Sequence, residues 1–251
     1  MRCRLKLGGP DQAVQARYSL SQTEKSSLSR LAKAITVWSR VLGRHFPWRE
    51  QDAGAYHKIV AEVLLQRTRA ETVGSFYDAF FARYPDWRSL ANASVDELEG
   101  VLRPIGLWKR RAASLRALAE FAVERDGVFP RSRRLHAQIP AVGQYVSNAI
   151  ALFQHGKRRP LLDVNMARVI ERYIHPRKLV DIRYDPWLQE ASAWLVKRGD
   201  PVEINWAILD FGALICRARS PLCPECPLHR NCHYFASKVK HGSHRGTVGG
   251  G

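Results

Sequence analysis

Four of the five cysteines crowd into one stretch, Cys216-x6-Cys223-x2-Cys226-x5-Cys232, while Cys3 stands alone. Thiols spaced this way converge on a metal and do not form a disulfide framework. The spacing by itself fits a four-cysteine zinc site or an iron–sulfur cluster. Two acids are a second candidate for chemistry. Glu62 lies within Ala61-Glu62-Val63-Leu64-Leu65, on a helix whose apolar face is Ile59, Val60, Val63 and Leu64. It is either on the solvent side or held at a functional edge, where desolvation would favour its protonated form. Asp163 precedes Val164, Val169, Ile170 and Tyr173 and is placed to cap a helix.

A turn, Ile139-Pro140-Ala141-Val142-Gly143, lies upstream of Asp163. Pro140 fixes its own φ and biases Ile139 away from the helical region, so a helix must stop there. A new helical period then starts, with Val146, Ala149, Ile150 and Phe153 at i, i+3, i+4 and i+7 and Gly156 as its stop. Such a turn aims unpaired amides outward at a helix start, a geometry suited to phosphate.

The elements around these residues are helical. Helices are expected over Ser29 to Leu42, Tyr56 to Gln66, Ala70 to Tyr84, Trp108 to about Arg125, and from Asp200-Pro201 to Leu214. Ser94-Val95-Asp96-Glu97 reads as a capping box opening a short helix to Leu102, Asp185-Pro186 starts another helix, and Asp200 to Glu203 repeats the capping signature. No alternating strand pattern of useful length, internal repeat or low-complexity run precedes the glycine-rich end at Gly246 to Gly251, so the fold class is all-α. Lys plus Arg number 40 against 23 Asp plus Glu, a net charge of +17 with a pI near 10.2. That excess implies a polyanionic partner, nucleic acid before membrane. Lys109, Arg110 and Arg111 stand in the first turn of a helix, the wrong end for cations on dipole grounds, which points to phosphate contact. No apolar stretch approaches a membrane span and Met1-Arg2-Cys3-Arg4 opens no secretory signal, so a cytosolic, nucleoid-associated protein is expected.

From about Trp38 to Phe235 the chain resembles the helix-hairpin-helix DNA glycosylase superfamily, with its motifs in the family's order. The hairpin of that family reads Leu-Pro-Gly-Val-Gly, and Ala141 replaces its first glycine. Pro47-Trp48-Arg49 precedes the helix of the first acid, Ala61 to Thr68 resembles MutY and the mismatch thymine glycosylases, and Leu162-Asp163-Val164-Asn165 matches the catalytic aspartate. The resemblance implies a cluster-bearing lobe from 28–54 with 164–236 and a helical barrel lobe with the hairpin over 55–163; outside it, the polar, weakly patterned 1–27 reads as a tail or loosely packed arm and 237–251 as a flexible tail. It implies a [4Fe–4S] cluster on Cys216, Cys223, Cys226 and Cys232, in a loop whose Arg217 and Arg219 meet DNA. It further implies DNA contact at Pro140, Ala141, Val142, Gly143, Lys109, Arg110 and Arg67, with Gln66 filling the gap left by a flipped base.

In such an enzyme Asp163 stabilises an oxocarbenium-like sugar or activates water, and Glu62 assists the departing base. Bifunctional relatives such as endonuclease III place a lysine where this chain has Tyr145, and mismatch thymine glycosylases place a tyrosine there. The expected activity is therefore monofunctional removal of thymine or uracil opposite guanine, by a monomer acting on mismatched double-stranded DNA. The chain also ends soon after the cysteines, leaving no room for the oxoguanine-reading domain typical of MutY. An adenine glycosylase lacking that domain, and a catalytically silent structural DNA binder, are the rival expectations.

Overall fold

The computed structural model describes residues 18–140 and 142–242; Cys3, Ala141 and the glycine-rich end lie outside the described residues. Every regular element among them is helical. They are α1 (Gln22–Leu42), α2 (Ala55–Leu64), α3 (Ala70–Arg83), α4 (Trp87–Asn92), α5 (Val95–Leu102), α6 (Trp108–Val123), α7 (Arg133–His136), α8 (Gln144–Phe153), α9 (Val164–Tyr173), α10 (Pro186–Leu195), α11 (Pro201–Leu214) and α12 (His233–Gly242). No helix among the described residues is long and apolar enough to cross a membrane.

Among the described residues the helices bury two large cores and a small third cluster of Ala149, Leu152 and Leu161. In one, α2 lies against α6 and α8, α6 receives α4 and α5, and Ile59, Leu64, Phe80, Leu98, Leu115 and Ile150 are fully enclosed. In the other, α1 packs on α10 and α11, α9 packs between those two, and Leu31, Ile35, Ile170, Leu188, Leu195 and Ile208 fill the interior. The chain enters the second core first, builds the whole of the first, and returns to the second at α9. The residues at the crossings, near 44–49 and 154–163, must therefore carry structure between the lobes.

Three boundaries depart from the sequence expectations. The first helix starts at Gln22, because Ser21 accepts from the Glu24 amide and Glu24 bonds back to the Ser21 amide at 2.7 Å. Glu24 also accepts from Trp187 Nε1 at 2.7 Å, so residues 18–27 belong to the packed lobe and not to a tail. Phe46 and Trp48 stack at 4.5 Å inside the barrel core, which moves that stretch out of the cluster-bearing lobe. The last helix runs to Gly242, five residues beyond the expected start of a C-terminal tail. At Ser94 and Asp200 the cap forms but the return bond does not. Glu97 turns to Arg83 and Tyr84, and Glu203 turns to Arg40.

One buried acid fastens the two lobes. Asp210 of α11 accepts from the Arg44 amide and Nε, both at 2.8 Å, and from Arg49 Nη1 and Nη2 at 2.7 and 3.0 Å. Burial alone would raise its pKa; the bonds and charge of Arg49, with those of Arg44, hold it below the usual carboxylate range. Removing one member of such a set strands buried charge, at a cost of about 3–5 kcal/mol.

Candidate active site

Between the lobes lies a cavity of about 720 Å³, lined on one side by Glu62, Leu65 and Gln66 and on the other by Asp163, Asn165 and Trp206. Glu62 and Asp163, 101 positions apart in the chain, thus face one space. Glu62 sits near the C-terminal end of α2 on its buried side, with 2% of its surface exposed. Its Oε2 accepts from Tyr145 Oη at 2.6 Å, bringing α8 of the hairpin to the same wall. Burial raises the Glu62 pKa to about 7, against the Tyr145 hydrogen bond and the Arg49 charge, which pull it down; nearby Asp163 adds to the rise. A carboxyl so placed holds or shares a proton near neutral pH. Burial, with the charges of Glu62 and Asp163, drives the Tyr145 hydroxyl well above its ordinary value, so it stays a neutral donor.

Asp163 is the N-cap of α9, as its position in the sequence implied. Oδ1 accepts from the Asn165 and Met166 amides, each at 2.8 Å, and Oδ2 accepts from Asn165 Nδ2 at 2.7 Å. Burial raises its pKa, opposed by those bonds and by the charge of Arg168. Arg168 donates to Asn165 Oδ1 at 2.8 Å and is itself anchored on the carbonyls of Gly212 and Cys216, at 2.7 and 2.8 Å. Gly212 allows this approach of α11 to α9: a Cβ there would lie 2.9 Å from Asn165 Cβ. Asn165, Arg168, Arg49 and Asp210 are the parts of the site that sequence reasoning left without a role. Their signal was present in Pro47-Trp48-Arg49 and Leu162 to Asn165, but their partners lie far away in the chain.

The hairpin stands beside this cavity. Its first helix, α7, has only four residues, and Ile139 is buried in the barrel core. Gly143 is the N-cap of α8, with extended backbone (φ −82, ψ −175) that any residue adopts, and a Cβ there would meet nothing within 4 Å. No tight backbone geometry therefore demands the glycine; it leaves open space in front of the uncapped first turn of α8. Val142 is half-buried: it packs against the barrel core, and its amide donates to Ile139 O at 3.1 Å. Pro140 is exposed.

Residues 60–179 match the family model described as HhH-GPD superfamily base excision DNA repair protein. The chain is 34% identical over 217 residues to a thymine-DNA glycosylase of Aeropyrum pernix, covering 84% of this chain and 97% of that one. A thymine/uracil-DNA glycosylase of Pyrobaculum aerophilum is 36% identical over 215 residues, covering 84% and 93%. The solved structure of a thermostable thymine-DNA glycosylase superposes with a TM-score of 0.75 at 29% identity, over 86% of this chain and all of that one. The chain belongs to the HhH-GPD superfamily. The resemblance carried by the hairpin, the two acids and their order is thereby borne out.

In this HhH-GPD chain Gln66 and Arg67 line the cavity, and the remaining expected contact residues are exposed on other segments. Gln66 and Arg67 are exposed just past α2, and Arg67 takes a left-handed conformation (φ 58). Lys109 and Arg110 are exposed at the start of α6, beside Leu107, which is also left-handed (φ 53) and 47% exposed. Leu107 is an apolar side chain presented to solvent at the N-cap of α6. Arg217 and Arg219 are exposed on the cysteine loop, with the Arg217 carbonyl accepting from Arg172 at 2.7 Å.

Cys216, Cys223, Cys226 and Cys232 are free and half-buried, and they line one small cavity of about 30 Å³ with Ile215, Leu222 and Phe235. Burial raises the Cys226 thiol to about 11 and pushes up Cys232 and Cys223 as well. Among the described residues no three His, Cys, Asp or Glu side chains are grouped to hold a single metal ion. Arg172 brings Nη1 to 3.6 Å from Cys216 Sγ, a cation beside the thiols that would favour their ionised, ligating form. Four soft thiol donors line this one cavity, and their chemistry would suit a thiolate-bound group.

Proposed function

We propose that this protein is a monofunctional DNA glycosylase that removes thymine or uracil mispaired with guanine, by hydrolysis of the N-glycosidic bond after base flipping. The observation that carries the reading is the shared cavity of Glu62, Tyr145 and Asp163, deep enough for an everted base and flanked by a hairpin with an uncapped helix start. No lysine is among the described residues that line it, so the cavity wall offers no amine for a Schiff base. The names of the two curated relatives support the choice of base.

As the bond breaks, its electron pair leaves with the base and the sugar becomes an oxocarbenium-like cation. Glu62, protonated near neutral pH, donates to the departing base; Asp163, ionised, faces the cation and takes the proton of the water that adds to the sugar. The amide cap of Asp163 and the dipole of α9 favour its anion before the substrate arrives. The start of α8, with Pro140 and Gly143, faces phosphate, as do Lys109, Arg110, Arg217 and Arg219. Gln66 fills the gap in the duplex. The reading takes the enzyme to act as a monomer, and a DNA substrate supports residence at the nucleoid.

The four cysteines would hold a [4Fe–4S] cluster, which when bound supplies a rigid thiolate cross-link to the loop carrying Arg217 and Arg219. Purified protein is expected to contain about four irons per chain. Zinc in their place would overturn the cluster assignment. The test of the activity is a panel of G·T, G·U and A-containing mismatched duplexes, read with and without alkali. Cleavage of G·T or G·U only after alkali is the expected outcome. Strand nicking without alkali, together with a borohydride-trapped adduct, would defeat the monofunctional reading.

A further inference from the structure

Among the described residues, Arg111 is a buried cation without an anionic partner. It is 4% exposed, in the first turn of α6 where the helix dipole opposes a positive charge, and desolvation lowers its pKa. Its hydrogen-bond partners are all neutral oxygens. Nη1 donates to the carbonyls of Ile105, at 3.1 Å, and Gly106; Nη2 donates to the Gln66 carbonyl at 2.8 Å and to Thr68 Oγ1 at 2.9 Å. Thr68 Oγ1 closes the set by donating to Ile105 O at 3.2 Å. One guanidinium therefore binds two loops, 65–69 and 103–107, through their backbones. Each loop carries an exposed side chain at or next to a left-handed residue that is not glycine: Gln66 beside Arg67, and Leu107 itself. A buried unpaired charge and two costly backbone conformations converge on one spot at the cavity mouth, and strain of this kind concentrates where geometry is used.

We propose that Arg111 is a positioning residue that joins these two loops into one rigid wedge, so that Gln66 and Leu107 enter the duplex as a single body. Lysine cannot replace it in full, because an ammonium lacks the planar fork that reaches both loops at once. A guanidinium is also the group that bonds several carbonyl oxygens in fixed directions without needing a carboxylate.

The inference rests on the glycosylase reading, and the experiment separates the two. A G·T duplex with 2-aminopurine next to the thymine is mixed with wild type, Arg111→Met, Arg111→Lys and Thr68→Val. Duplex affinity, the fluorescence rise on unstacking, and single-turnover excision are recorded. Arg111→Met is expected to bind the duplex as wild type does, while unstacking and excision both slow by about 10- to 100-fold. Arg111→Lys should recover part of that loss, and Thr68→Val should show a smaller loss in the same two steps. Unchanged unstacking in folded Arg111→Met overturns the proposal, as does a loss of affinity that accounts for the whole effect. If Arg111→Met fails to fold, Thr68→Val decides, and its unstacking at the wild-type rate overturns the proposal. A wild-type protein that unstacks the base without excising it sinks the glycosylase reading and leaves the wedge standing; one that does not unstack it sinks the wedge.

Discussion

The α2 wall and the start of α9 each present one carboxyl to the same cavity, and they treat it differently. Glu62 is enclosed among apolar neighbours and receives one hydrogen bond, from Tyr145. Asp163 is half-buried but receives three, two from amides at a helix N-terminus and one from Asn165. Burial lifts the pKa of both; Glu62 is carried to about 7, the range where a carboxylic acid donates a proton at working pH, whereas at Asp163 the bonds from Asn165 and Met166 and the charge of Arg168 oppose the rise. The three donors at Asp163 favour its anion, while the single donor at Glu62 leaves burial to favour the acid.

The largest way to break that contrast is to remove the anion. Asp163→Asn keeps a side-chain oxygen for the amides of α9, so the helix cap and the melting temperature should be nearly retained. Excision should fall by about 10³-fold or more, because no negative charge then faces the sugar cation. A single-turnover rate within tenfold of wild type would refute the role given to Asp163.

Glu62→Gln tests the other side. Loss of the acid should slow excision by about 10²-fold and abolish the fall in rate that wild type should show as pH rises through about 7. The same change should stabilise the fold. A carboxyl whose folded pKa is raised from 4.5 to about 7 destabilises the native state when ionised. The penalty is absent below the unfolded value and complete above the folded one. At pH 8 relief of that penalty is on the order of 3 kcal/mol, several degrees in melting temperature, and at pH 5 little of it remains. Equal melting curves for the two proteins at pH 8 would show that Glu62 is not desolvated as the cavity implies.

What could be read without coordinates follows from how local each signal is. The caps at Ser94, Asp163, Asp185 and Asp200 and the break at Pro140 depend on residues a few positions apart, and they appear where their types imply. Glu62 and Asp163 were paired only through the resemblance, since no local pattern says that α2 and α9 face each other. The Asp210 clamp joins positions 161 and 166 apart, and Arg111 reaches back 45 residues to Gln66; tertiary bonds of this span leave no periodicity. The helix start at Gln22 was missed for a related reason. Ser21 and Glu24 are a capping box, but the weak apolar pattern behind them reads as a tail until Trp187 closes over Glu24.

The smallest effect is expected at Tyr145, and it sharpens the contrast by moving only one of the two acids. Tyr145 Oη donates to Glu62, which favours the ionised carboxylate and pulls the pKa down against burial. Tyr145→Phe removes the donor and keeps the ring, so Glu62 should hold its proton to higher pH. The falling limb of the pH–rate profile should then shift upward by about one unit, the size expected for a hydrogen bond to a charged group. Relative to wild type, the variant should lose more activity at pH 6 than at pH 8, because at the higher pH more of its Glu62 remains protonated. Asp163 keeps its cap and the rising limb should stay in place. A limb that moves to lower pH would mean that the hydroxyl accepts from a protonated Glu62, reversing the direction of this hydrogen bond and making Tyr145 a support for the acid form.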